Sequence, residues 1–180
     1  LYLFTLQREG EGFFSKPIEP AGVLYFPARD EILAAERSVG PEELAALRAK
    51  ALRRTGLLLR EPEVLRAMEH EALEKPVYLP LRVDRTGNLS GAVASAQQLG
   101  QLARYVDRLL GRIAREIRQG NIDADPVCRG PEDSACRYCP WAMACQFEDG
   151  RGRDHRNYLR AVKPEDFWRE LREEEGEKHG

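Results

Sequence analysis

The sequence predicts a mixed α/β chain, with a small mixed sheet flanked by helices and a long C-terminal helix that leads into a cysteine-rich metal loop. Three observations carry this expectation. A continuous apolar run of strand formers, "VLYF", lies between Pro20 and Pro27. Leu99, Leu102, Val106, Leu109, Ile113 and Ile117 form one stripe of three-and-four spacing. All four cysteines of the chain fall between Cys128 and Cys145.

The elements follow in order. "LYLFTLQ" starts without methionine and reads as helix from its first residue, with no capping residue ahead of it. The expectation is a chain entered partway through a helix, and so a fragment of a longer protein; the alternative is a processed N-terminus. Residues 1–8 are read as the end of that helix, and "EGEGFFSKPIEP" as a connection. "AGVLYFPA" predicts a short strand through Val23, Leu24, Tyr25 and Phe26, limited by the flanking prolines. Residues 30–74 read as helical. Pro41 followed by acids is a start signal, and Leu44, Leu47, Ala51 and Leu52 have helical spacing. "EPEVLRAMEHEAL" reads as a second short helix after a break at Gly56. "KPVYLPLRV" predicts a strand in which Val77, Leu79, Leu81 and Val83 alternate with other residues, and Pro80 makes it an edge or a bulge. "DRTGNLS" supplies turn chemistry before a further short strand. Residues 95–119 predict one amphipathic helix, capped by Ser95 and stopped by Gly120 and Asn121.

Composition narrows the function classes. The chain has 180 residues, enough for one sizeable core, with 42% hydrophobic and 32% charged residues, as in ordinary globular proteins. A net charge of −2 carries no global signature of nucleic-acid binding, so that case rests on local patches. No apolar run approaches the roughly 18 residues that span a bilayer, and no basic–apolar–small leader opens the chain. The reading is cytoplasmic, without membrane contact. Disulfides are rare there, so clustered thiols point to metal or redox chemistry.

Cys136 and Cys139 are spaced C-x2-C, Cys145 follows after five intervening residues, and Cys128 lies upstream of Cys136 with seven residues between them. Two thiolates in a tight turn and a third within one more turn close three sides of a metal site. Zinc and iron–sulfur clusters both accept soft thiolates, and the spacing does not choose between them. The alternative is that the four are buried small hydrophobes, and clustering in a loop containing proline, glycine and aspartate counts against it. A thioredoxin-like pair needs a strand-to-helix junction, whereas this one follows a long helix and an irregular loop.

The string "GNIDADPVC…CRYCPWAMACQFEDG…NYLR" resembles the C-terminal end of the AddB-type subunit of bacterial helicase–nucleases, which closes a RecB-like PD-(D/E)XK nuclease domain. The matching positions are Pro126, Cys136, Cys139, Trp141, Cys145, Gln146, Phe147, Glu148, Tyr158 and Arg160, with Leu159 inserted between the last two. "PAGVLYFPARD", "TGLLLREPEVLRAME", "GAVASAQQL" and the long helix are similar to the family in the same order, so the resemblance covers residues 1 to about 160. CRISPR-associated nucleases share a three-cysteine ending, but the match through "PAGVLYF" and the long segment between the strands count against them.

The resemblance implies a partial restriction-endonuclease-like nuclease domain. Residues 1–125 would be the C-terminal part of its core, 126–163 the iron–sulfur loop with a basic segment, and 164–180 a charged, flexible tail. It implies a [4Fe–4S] cluster held by Cys136, Cys139 and Cys145, with a fourth cysteine upstream of this chain. Cys128 departs from the family pattern and is either an incidental thiol or a stand-in fourth ligand. The family cuts DNA with Asp…(Asp/Glu)-x-Lys, whose carboxylates hold Mg²⁺. Those residues precede a Gln-x-x-x-Tyr helix, and Tyr2 is similar to its tyrosine. The acids and lysine would lie before residue 1, so no residue of this chain receives a catalytic role and the chain alone is expected to be inactive. Asp30 and Glu31 form the nearest carboxylate pair and have no lysine two residues on; Asp84 reads as turn chemistry, and His70 and His155 as exposed residues.

For DNA, Arg104, Arg108, Arg112 and Arg115 form a stripe partly balanced by Asp107 and Glu116, and read as a solvated face. The segment after Cys145 is the stronger candidate: Arg151, Arg153, Arg156, Tyr158 and Arg160, with His155 and Lys163 among them, combine charge with an aromatic ring. The function so implied is the C-terminal part of an Mg²⁺-dependent exodeoxyribonuclease. It would act in an ATP-dependent helicase–nuclease that processes double-strand breaks for recombinational repair, as a heterodimer with an AddA-type partner. The alternative is a non-catalytic four-cysteine zinc module that binds DNA or protein.

Overall fold

The computed structural model describes residues 1–28, 32–33, 39–130 and 132–176. The chain forms two units, residues 1–104 and 105–180, divided inside the long helix.

In the first unit, helix α1 (Tyr2–Glu9) leads to a short helix α2 (Glu11–Phe14), where the sequence predicts only a connection. Strand β1 (Gly22–Tyr25) stops one residue short of the expected strand. Then come α3 (Pro41–Ala51), β2 (Thr55–Leu59), α4 (Pro62–Met68), β3 (Leu81–Val83), β4 (Leu89–Gly91) and β5 (Val93–Ala94). β2 lies between β1 and β5, antiparallel to the first and parallel to the second. β3 and β4 form a separate hairpin. The architecture is mixed α/β, with small sheets flanked by helices.

The expectation of helix across 30–74 fails in its middle. "TGLLL" is the central strand β2, with Leu58 fully buried. The strand wins because its partners are remote in sequence. Leu58 N–H donates to the Ala92 carbonyl at 3.0 Å, and Leu59 N–H to the Ala21 carbonyl at 2.9 Å. Gly56, read as a helix break, instead permits close approach. Its φ is +144°, and a Cβ there would sit 2.0 Å from the Val23 carbonyl oxygen. Residues before Pro41 that the sequence places in helix, Asp30 and Glu31 among them, lie largely outside the described residues.

α4 ends at Met68, earlier than expected, because Glu69 turns extended. Its carboxylate accepts the N–H groups of Val77 at 2.7 Å, Tyr78 at 3.2 Å and Leu79 at 3.0 Å. Those amides are taken by a side chain, so the strand predicted over 75–83 shortens to β3. Leu58, Leu65, Ala72, Leu79, Leu81 and Val93 form the core of this unit. Each fully buried leucine contributes about 1.5–3 kcal/mol.

The long helix α5 (Ala96–Arg118) has the expected ends. Gln98 N–H donates to Ser95 Oγ at 3.2 Å and Ser95 N–H to Gln98 Oε1 at 2.8 Å, a reciprocal capping box. At the other end Gly120 has φ +74°. Asn121 N–H reaches the Glu116 carbonyl and Gly120 N–H the Ile117 carbonyl, both at 3.0 Å, which is a Schellman stop.

The second unit contains a sheet the sequence did not predict: β6 (Val127–Gly130), β7 (Asp133–Ser134) and β8 (Asn157–Tyr158) in the order β7-β6-β8. A 3-10 turn (Ala135–Tyr138) and a short helix α6 (Ala142–Cys145) lie between β7 and β8. Residues 164–176, expected as flexible tail, form helix α7 (Pro164–Gly176), which buries Leu171 and places Glu175 3.7 Å from Arg108. Proline at its first position and two acids in its first turn favour that start.

Candidate metal centre

The four cysteines separate into two environments. Cys128 is fully buried at the centre of β6, between Ser134 and Tyr158 as register partners, and its thiol lies 3.5 Å from the Pro126 carbonyl oxygen. Cys136, Cys139 and Cys145 lie in the connection between β7 and β8. Cys136 is half-buried in the 3-10 turn, whose start is capped by Ser134 Oγ accepting Cys136 N–H at 3.2 Å. Cys139 follows that turn and is exposed, with its N–H on the Cys136 carbonyl at 3.3 Å. Cys145 ends α6 and is exposed. Gln146 then takes the left-handed conformation, φ 50°, and reverses the chain.

The donor set fits a thiolate-ligated group in part. All four thiols are free of disulfides. The three downstream ones stand on short, solvent-accessible turns at C-x2-C-x5-C spacing, and thiolates are the soft ligands that iron–sulfur and zinc sites need. Cys136 lines an open pocket of about 320 Å³ together with Glu132, Arg137 and Arg156. Among the described residues no three donors already converge on one point.

The predicted nucleic-acid contacts lie in the same unit, each arginine beside an acid. Arg151 pairs with Glu148 at 2.8 Å, Arg153 with Asp123 at 3.5 Å, Arg156 with Asp149 at 3.7 Å, and Arg160 with Glu170 at 2.5 Å. Arg156 is held charged more firmly than usual, first by its hydrogen bond with Tyr158. Tyr158 is half-exposed at the sheet edge, and His155 is fixed by its N–H to the Ala124 carbonyl at 3.2 Å. These acids are the signal missed in the sequence: the segment is basic only when Asp123, Glu148, Asp149 and Glu170 are left out. On α5, Arg108, Arg112 and Arg115 line an open pocket of about 420 Å³ that also contains Asp107 and Glu174.

Catalytic groups do not gather among the described residues. Tyr2 is exposed on α1. The Asp84 carboxylate is consumed by its own turn, accepting Thr86 N–H at 2.8 Å, the Thr86 hydroxyl at 2.7 Å and Asn88 N–H at 2.9 Å. The Thr86 hydroxyl, then the Asn88 amide, lower its pKa from 3.8 to about 2. His70 is exposed in a turn. None of the five lysines has an acid two residues ahead of it, so no (Asp/Glu)-x-Lys step exists in the sequence.

Residues 1–146 match the sequence profile of the PD-(D/E)XK nuclease superfamily. Among curated relatives, three proteins named as one of the subunits of an ATP-dependent helicase/deoxyribonuclease are similar over almost the whole chain. The one from Moorella thermoacetica is 34% identical over 175 residues, covering 93% of this chain. Those from Desulforudis audaxviator and Acetivibrio thermocellus are 32% identical over 173 residues (95% of this chain) and 30% over 178 residues (98%). The chain spans 15% of the length of each of the three.

Proposed function

The chain belongs to the PD-(D/E)XK nuclease superfamily, and on that premise we propose that it is the C-terminal part of the nuclease domain of a helicase–nuclease, closed by an iron–sulfur loop. The observation that carries this reading is the joint occurrence of the match over residues 1–146 with a C-x2-C-x5-C set of free thiols at its end. In the complete protein the domain cleaves phosphodiester bonds of DNA as an exodeoxyribonuclease during ATP-dependent processing of double-strand breaks for recombinational repair. It works in the cytoplasm beside an AddA-type partner. Among the described residues no helix is long and apolar enough to cross a membrane.

Cys136, Cys139 and Cys145 would hold the [4Fe–4S] cluster, with a fourth ligand from elsewhere in the protein, and so would tie down the connection between β7 and β8. An acid–lysine set elsewhere in the complete protein would hold Mg²⁺, which would supply an activated water and offset phosphate charge. Tyr2 belongs to the helix that follows that set. Arg151, Arg153, Arg156, Tyr158 and Arg160 contact the DNA backbone once their acidic neighbours yield. Residues 1–125 act as the C-terminal part of the nuclease core and 126–163 as the cluster loop with its basic segment, followed by the charged helix α7.

A four-thiolate zinc module needs Cys128 as a ligand, and the burial of that thiol within β6 weighs against it. The experiment is hydrolysis of linear duplex DNA with Mg²⁺. The complete natural protein in its complex should degrade the duplex and this chain alone should not. Sustained cleavage by the chain alone would refute the assignment of roles.

A further inference from the structure

Arg53, Arg54 and Arg82 line one open cleft of about 460 Å³ in the first unit, together with Thr55, Pro80 and Ser90. Among the described residues none of the three arginines is ion-paired, unlike the arginines after Cys145. Two are nevertheless held in place. Arg53 Nη2 donates to the Leu81 carbonyl at 2.7 Å. The Arg54 guanidinium lies 4.2 Å from the centre of the Phe26 ring and 5.8 Å from that of Tyr78. A carbonyl and two π-faces orient a guanidinium without neutralising it. Arg82 is exposed opposite Ser90 in the β3–β4 hairpin, so a cation and a hydroxyl share one face.

Three guanidinium groups, two of them oriented and none ion-paired among the described residues, repel one another unless an anion joins them, and Arg is suited to bidentate phosphate contact. The Thr55 and Ser90 hydroxyls add donors at the cleft wall. Tyr25, the register partner of Thr55, and Phe26, which carries Arg54, are 67% and 61% exposed, and offer apolar faces for stacking beside the charge. Charge in a cleft with exposed rings at its side is the pattern that grips unpaired bases and their backbone.

We propose that the Arg53–Arg54–Arg82 cleft binds the phosphodiester backbone of single-stranded DNA, with Tyr25 and Phe26 receiving unpaired bases. The assignment rests on the nuclease reading above and deepens it: the domain holds a separated strand at a site apart from the cysteine loop.

The test is binding of a fluorescein-labelled oligothymidylate to the complete natural protein, followed by anisotropy across a sodium chloride series. The variant Arg53→Gln with Arg82→Gln should bind more weakly, and its salt slope should fall by about 1.4, from two lost phosphate contacts at ~0.7 each on a single strand. Arg82→Gln alone, whose side chain makes no hydrogen bond among the described residues, should lower the slope by about 0.7. Blunt duplex should lose less affinity than the oligothymidylate in both variants. Unchanged slopes in both variants, while the unaltered protein binds, would overturn the cleft and leave the nuclease reading standing. Displacement of the oligonucleotide by inorganic phosphate beyond a matched chloride control would reduce the cleft to an isolated phosphate site and overturn the strand assignment. Failure of the unaltered protein to bind DNA would remove both readings together.

Discussion

Cys128 stands directly opposite Tyr158 in the parallel pairing of β6 with β8, and its thiol is completely buried. Cys139 and Cys145, in the connection between β7 and β8, are exposed. On the proposed assignment the buried thiol is a small apolar filler of the sheet and not a ligand. Cys128→Ala should therefore retain the iron of the complete protein and lower stability by about 1–2 kcal/mol, the combined transfer and cavity cost of a small buried group. Denaturant unfolding and iron analysis of the same preparation check this. Loss of iron in Cys128→Ala would make it a ligand.

The arginines after Cys145 carry acids with them. Removing Arg153 and Arg156 leaves Asp123 and Asp149 unpaired beside the path assigned to DNA. Arg153→Ala with Arg156→Ala should weaken DNA binding and flatten its salt dependence, whereas Asp123→Asn with Asp149→Asn should tighten binding at low salt. Anisotropy titrations on the complete protein measure both. Unchanged affinity in the double arginine variant would take this segment off the DNA surface.

Glu69 holds three consecutive amides, those of Val77, Tyr78 and Leu79, and so joins α4 to the hairpin. Glu69→Ala leaves these donors without their acceptor next to buried Leu79, and should cost about 1–3 kcal/mol in urea unfolding. Glu69→Gln keeps one carbonyl acceptor and should recover part of that loss. Equal stability of all three proteins would show that solvent serves these amides as well.

The Asp84 turn gives a pH signature. Its folded-state pKa, about 2, lies below the ordinary 3.8, so its contribution is complete above pH 3.8 and is lost as pH falls toward 2. The carboxyl carbon of Asp84, followed by NMR, should titrate about two units below a free aspartate. Asp84→Asn should remove that acid-side dependence of the turn. A midpoint near 3.8 would mean that the Thr86 and Asn88 hydrogen bonds do not form in solution.

What depends on near neighbours is readable before folding. Helix α5 is legible because Ser95, Gln98, the leucine stripe and Gly120 all act within the span of one helix. The cysteine loop is legible because ligand chemistry is written in short spacings. β2 is not, because "TGLLL" sits between helix-forming segments and becomes a strand only by pairing with β1 and β5, both remote in sequence. The β6–β8 sheet is hidden for the same reason: Cys128 finds Tyr158 across the whole cysteine loop. Basic character after Cys145 is readable, but its neutralisation is not, since Asp123 and Glu170 approach Arg153 and Arg160 only in the folded chain. The Arg53, Arg54 and Arg82 cleft is likewise assembled from a helix end and a hairpin that the sequence keeps apart.

The most direct test is anaerobic purification of the complete protein that contains these residues, followed by iron and sulfide analysis and an absorption spectrum. The expected result is a brown protein with a broad band at about 400 nm and iron and sulfide in the proportion of one [4Fe–4S] cluster. Cys136→Ala, Cys139→Ala and Cys145→Ala should each abolish that band. A colourless protein that holds zinc, or no metal at all, would contradict the iron–sulfur assignment.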